Sequence, residues 1–267
     1  MAKVGLAHSG PLTFLALRYA LVLAILIPAL AIVRPPLPSG RAWQDVAIVG
    51  LLVQFCYFAL NMAAIAAGAG VSVAALVAAL QPVIVALLAP VAGVGPRVGG
   101  RAWAGFVLGL LGTAIVIIAQ SGIQAPSPVG VTFAALSTLC MAMGTIWEKR
   151  GAARAPHPLV AATGQYAVGL IACAIAAALF ETMRVEWTPG FAGALLYLVI
   201  ANSLIAISLL LAMVRRGDAA RVSTLFFLVP PAAALIDWLL TGERMASAAW
   251  GGMGLAAAGV LLATRRS

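Results

Sequence analysis

Residues 11–20 read PLTFLALRYA and residues 158–167 read PLVAATGQYA, so the opening of one apolar segment returns 147 positions later. The echo continues along the chain. Trp103, Gly105 and Gly112 are answered by Trp250, Gly252 and Gly259, again at 147, and Leu80-Gln81-Pro82 by Leu228-Val229-Pro230 at 148. A fixed internal spacing marks a duplicated architecture in which each copy supplies the same elements. Shifting the second copy back by 147 carries residues 128–149 almost wholly before Met1. The first copy is therefore expected to be one element short.

Composition sets the solvent. The chain is 64% hydrophobic and 9% charged, more apolar side chain than a water-soluble domain of this size buries, so its surroundings must be lipid. A net charge of +9 suggests nucleic acid until the charges are placed. They fall in short gaps between apolar runs, the distribution of a multi-pass membrane protein, and nucleic acid is excluded as a partner. Cys56, Cys140 and Cys173 lie singly inside apolar segments, which fits buried small side chains and neither a disulfide framework nor a metal site.

Nine stretches are long enough to cross about 30 Å of hydrocarbon as helices: 11–33, 43–66, 71–94, 102–120, 128–149, 158–180, 190–213, 219–241 and 247–263. Helices are required because lipid offers the backbone no partner, and the alternation of a barrel is absent. With the N-terminus outside, the inner gaps and span ends hold Arg34, Arg41, Arg97, Arg101, Lys149, Arg150, Arg154, Arg215, Arg216, Arg221, Arg265 and Arg266, against Lys3, Arg184 and Arg244 outside. That bias predicts an external N-terminus and a cytoplasmic C-terminus. A unit of five helices enters the membrane from alternate sides in successive copies, so the copies, 1–120 and 121–267, are expected to be inverted repeats about an axis in the membrane plane.

Polar groups within spans face the bundle interior. Gln54, Tyr57 and Asn61 share one helical face by their i, i+3, i+7 spacing. Thr138, Thr145 and Trp147 belong to the fifth span, Asn202 and Ser203 to the seventh, and Gln81 to the third. Arg18 and Gln165 hold equivalent places, each one position before a tyrosine, Tyr19 or Tyr166. Arg18 either snorkels to the outer interface or faces a cavity, where it would attract an anionic or zwitterionic solute. These side chains form the candidate substrate cavity. Pro82, Pro230 and Pro231 are candidate hinges, because a proline inside a helix removes a backbone bond and clashes with the preceding turn. Asp237 and Glu243, near the outer end of the eighth span, are candidates for coupling or gating. The small-residue spacings Gly105-x-x-x-Gly109 and Gly252-x-x-x-Ala256 permit close helix packing, within the bundle or across a homodimer seam. Neither a metal-protease nor a serine-hydrolase motif occurs, so no enzyme and no cofactor is expected.

In the second copy, Arg215-Arg-Gly-Asp-Ala-Ala-Arg221, Leu228-Val-Pro-Pro231, Leu239-Leu-Thr-Gly-Glu-Arg244 and Ala256-Ala-Ala-Gly-Val260 resemble the EamA repeat of the drug/metabolite transporter superfamily. The resemblance implies a ten-helix transporter of two inverted five-helix repeats, moving small metabolites or drugs across the inner membrane, and export by alternating access is the expected function. Two departures stand out: the family's first helix is absent, and the Gly242-Glu243 pair has no counterpart in the first copy, which reads Gly93-Val-Gly-Pro-Arg97. The alternative expectation is a truncated, transport-inactive protein of the same fold.

Overall fold

The computed structural model describes residues 8–38, 40–94, 98–121, 127–200, 227–228, 232, 235 and 246–264. The described residues are helical and contain no strand; one isolated antiparallel bridge joins Ser9 to Val185. The helices are α1 (Pro11–Val33), α2 (Arg41–Val49), α3 (Phe58–Ala66), α4 (Val71–Ala78), α5 (Gln81–Val91), α6 (Gly100–Ser121), α7 (Pro128–Arg150), α8 (Pro158–Phe180), α9 (Pro189–Tyr197) and α10 (Ser247–Thr264). Seven stretches among them are long and apolar enough to cross a bilayer, with α2 and α3 forming one span and α4 and α5 most of another. The expected spans 190–213 and 219–241 fall largely outside the described residues, as do Asn202, Ser203, Pro230, Pro231, Asp237 and Glu243.

Three spans depart from regular α-helix. Between α2 and α3 the backbone widens into a π-helix over Gly50–Tyr57, and π geometry returns at residues 198–200, directly after α9. The i, i+3 relation used for Gln54 and Tyr57 assumes an α-helical turn, so it does not hold across the wider one. The third span, expected to be continuous over 71–94, is interrupted by a turn at Ala79–Leu80, and Pro82 sits in the first turn of α5. The ring of Pro82 leaves no N–H for the preceding turn, and Leu80 N instead donates to Val77 O at 3.0 Å. A short 3₁₀ turn at Phe227–Leu228 lies 148 positions further on, the offset already seen between Pro82 and Pro230.

The chain folds into two compact units, each drawing on both halves of the sequence: Met1–Met62 with Met143–Arg216, and Ala63–Ala142 with Gly217–Ser267. In the first, α1 packs on α8. Glu181, which follows α8, accepts from Leu12 N and Thr13 N at 2.8 Å and from Thr13 Oγ1 at 2.7 Å. A carboxylate thus satisfies the free donors at the start of α1, and the end of α8 lies against the beginning of α1. The pair is antiparallel. Tyr19, Val22, Leu26, Ala162, Tyr166 and Cys173 fill the core around it.

In the second unit α6 packs on α10 through glycines. A side chain added to Gly105 would strike the backbone of Gly259 and Ala263, and one added to Gly112 would strike that of Gly252 and Ala256. These helices are also antiparallel, and their contacts are reciprocal. Gly105 meets Gly259 while Gly252, its equivalent 147 positions on, meets Gly112, the equivalent of Gly259. The small-residue faces of α6 and α10 are occupied by each other, which answers the choice between bundle packing and a dimer seam in favour of packing.

Candidate functional site

Eight of the expected site residues belong to the first unit: Arg18, Gln54, Tyr57, Asn61, Thr145, Trp147, Gln165 and Tyr166. Tyr19 ties several of them together. Its ring lies 5.5 Å from that of Tyr166, its hydroxyl donates to the backbone carbonyl of Gln54, and the Arg18 guanidinium carbon sits 5.3 Å from its centroid. In the sequence Tyr19 is only a landmark beside Arg18. The available signal is its identity with Tyr166 across the 147-residue echo.

Arg18 is 2% exposed, so the snorkelling alternative is removed. Its guanidinium carbon lies 4.5 Å from the centroid of the Phe58 ring, where the negative face of the aromatic attracts the cation. A fixed positive charge is thereby held inside the unit beside two aromatic rings, those of Tyr19 and Phe58.

Gln54 is fully buried, and neither its amide nitrogen nor its amide oxygen has a hydrogen-bond partner among the described residues. An unsatisfied buried amide costs about 1–3 kcal/mol per lost partner, so such a group in a native fold calls for an explanation. Its place on the π segment supplies the context, since π-bulges recur at functional sites. Gly169 of α8 lets Gln54 approach, because a Cβ there would meet the Cβ of Gln54 and the ring of Tyr19. Gly50 does the same one turn earlier, against the backbone of Gln165.

Gln165, also fully buried, donates through Nε2 to Glu148 Oε2 at 3.2 Å, and its amide oxygen has no partner. Trp147 points elsewhere: its indole N–H donates to Asp45 Oδ1 at 3.0 Å, and Asp45 Oδ2 accepts from Arg154 at 3.1 Å. Trp147 thus belongs to a polar clasp joining α2 to the segment after α7. Asp45, which was not foreseen, is the centre of that clasp. Thr145 is buried, while Tyr57 and Asn61 are half-buried.

Gln81, Pro82 and Thr138 belong to the second unit. Gln81, 2% exposed, stands at the start of α5, beside the interrupted turn. Thr138 spends its hydroxyl on Ala134 O within its own helix, at 2.9 Å. Thr113, fully buried, donates to the carbonyl of Phe227 at 3.0 Å, satisfying backbone at the 3₁₀ turn.

Long apolar helices, interrupted spans and polar side chains buried at depth together define a multi-pass membrane protein of the secondary-transporter class. The chain belongs to the EamA-like transporter family, which matches residues 1–118 and 128–265. It is 23% identical over 265 residues to the uncharacterized inner membrane transporter YedA of Escherichia coli strain K12, across 98% of this chain and 84% of that one. YedA of the O6:H1 and O157:H7 strains matches to the same extent. A solved crystal structure superposes on 95% of this chain and 86% of its own with a TM-score of 0.81 and 21% identity. At that identity the likeness speaks for the fold alone.

Proposed function

We propose that this protein exports small organic solutes across the inner membrane by alternating access of two inverted repeats, 1–120 and 121–267, built from nine spans. The reading rests chiefly on reciprocal contacts. Gly105 meets Gly259 and Gly112 meets Gly252, Tyr19 meets its own equivalent Tyr166, and in both cases the paired helices are antiparallel. Exchange of antiparallel helices by a two-fold operation requires an axis perpendicular to them, and for spanning helices that axis lies in the membrane plane. The matching irregularities, π geometry at Gly50–Tyr57 and 198–200 and tight turns at 79–80 and 227–228, support the same symmetry.

The solute path in this reading includes the cluster around Arg18, Gln54, Gln165 and Tyr166, with Asn61, Thr145, Asn202 and Ser203 contributing further along and Pro82, Pro230 and Pro231 acting as hinges. The inner-membrane location follows the name of YedA and the apolar helices. The Lys/Arg bias places the N-terminus outside and the C-terminus in the cytoplasm. No observation favours the alternative of an inactive protein.

Solute flux in proteoliposomes tests the proposal. Uptake or release of at least one class of small amphipathic solute is expected, saturable with concentration. Folded protein that moves none of a broad panel of amines, carboxylates, amino acids and nucleobases would overturn it.

A further inference from the structure

The ends of three spans frame a groove at one end of the first unit. Helix α1 stops at Val33, and the spans beginning with α2 and α8 start at Arg41 and Pro158. The groove between their connecting segments has a volume of about 580 Å³ and is lined by residues 36–38, 40–42 and 154–157. Its ionisable side chains are Arg41, Arg154 and His157. Arg41 is exposed and makes no hydrogen bond or ion pair among the described residues. The neighbouring acid, Asp45, has one oxygen on Arg154 and the other on Trp147, so its charge is already engaged.

The backbone adds to the positive field. Helices α2 and α8 both begin here, and neither carries an acidic residue in its first turn. Gly40 offers α2 no side-chain cap, so the positive end of that helix dipole is left to solvent or to an anion. His157 Nδ1 accepts from Leu159 N at 3.3 Å, which leaves its other ring nitrogen free to donate.

Depth and the flanking side chains identify the source of the anion. Span ends mark the level of lipid phosphates; Leu37 in the groove lining and Ile32 in the last turn of α1 are 69% and 82% exposed. A headgroup phosphate held by Arg41 and the uncapped start of α2, with the His157 ring N–H as a further donor and acyl chains on adjacent apolar side chains, satisfies both kinds of surface, and basic recesses between helix ends are where such headgroups bind. We propose that this groove binds the phosphate of an anionic phospholipid.

Native mass spectrometry of the full chain tests the assignment, using phosphatidylglycerol, phosphatidylcholine and inorganic phosphate as probes. Phosphatidylglycerol is expected to remain bound where phosphatidylcholine does not, and millimolar inorganic phosphate is expected not to displace it. Arg41→Gln should weaken retention by about fivefold, the worth of one basic residue at a charged lipid surface, whereas Arg41→Lys should keep it. Both variants should melt as the wild type does, because Arg41 is exposed. Equal retention of the two lipids, undiminished retention in Arg41→Gln, or displacement by inorganic phosphate would each overturn the proposal. The last would point to a site for free phosphate groups. None of these outcomes depends on measured transport.

Discussion

Tyr19 and Tyr166 stand at equivalent positions of the two copies, and their rings touch, with centroids 5.5 Å apart. In the proposed inverted-repeat reading, such a self-contact falls on the axis that relates the copies. Tyr19 also donates to the carbonyl of Gln54 and lies beside Arg18, so the contact between the two tyrosines sits next to the polar cluster. Equivalent positions there carry different chemistry, Arg18 in one copy and Gln165 in the other. Under the proposed function, a solute passing between them would meet a charged side and a neutral side.

That asymmetry makes Arg18→Gln informative, since it gives both copies the same residue. Flux of anionic or zwitterionic solutes is expected to fall by tenfold or more, on the order of a lost hydrogen bond to a charged group, while neutral solutes are less affected. Parallel assays of a carboxylate and a neutral analogue measure the difference. An equal effect on both would show that Arg18 serves packing alone.

Gln54→Leu separates structure from transport. Replacing an unpaired buried amide with an apolar side chain of similar size is expected to leave the melting temperature unchanged or raised. Flux should drop. If flux survives intact, Gln54 does not belong to the path.

The glycine contacts of the second unit predict a position-dependent penalty. Gly112→Val and Gly259→Val place side-chain atoms against facing backbone and should destabilise by about 1–3 kcal/mol or more. A side chain at Gly254 meets nothing, so Gly254→Val is the control, expected to stay near wild type in thermal melts.

Glu181 closes the antiparallel pair of the first unit. Glu181→Ala removes three hydrogen bonds at the start of α1, and a loss of about 1.5–3 kcal/mol is expected for bonds to a charged group. Glu181→Gln, which keeps acceptor capacity, should lose less. Melting in detergent and proteolysis near residues 8–13 report the effect.

Orientation has its own assay. A C-terminal green fluorescent fusion should be bright and a C-terminal alkaline phosphatase fusion inactive if that end is cytoplasmic, as proposed from the Lys/Arg bias. The reverse pattern would invert the whole topology.

Several features were legible before any coordinates. The echo between PLTFLALRYA and PLVAATGQYA located α1 and α8, and the apolar run lengths marked seven spans that recur among the described residues. Pro82 marked the place where the third span breaks, though not that two helices would replace one. The site was read less completely. Gln54, Gln165 and Arg18 stood out as polar residues in apolar segments, but Trp147 went to Asp45 and Thr138 bonded back to its own helix. Helical spacing tells which residues share a face and says nothing of which neighbour that face meets.

The sequence by itself determined that this chain lives in lipid and repeats itself, because both are properties of composition and order along the chain. Only tertiary structure decided which helices meet, that α1 and α8 run antiparallel, and that Arg18 is buried against Phe58 instead of reaching an interface. Those outcomes depend on close approach at particular glycines, Gly50 and Gly169 among them, and on a widened turn that shifts the helical phase around Gln54. Contacts between residues more than a hundred positions apart leave no local trace, so nothing in the spacing of neighbours could have announced them.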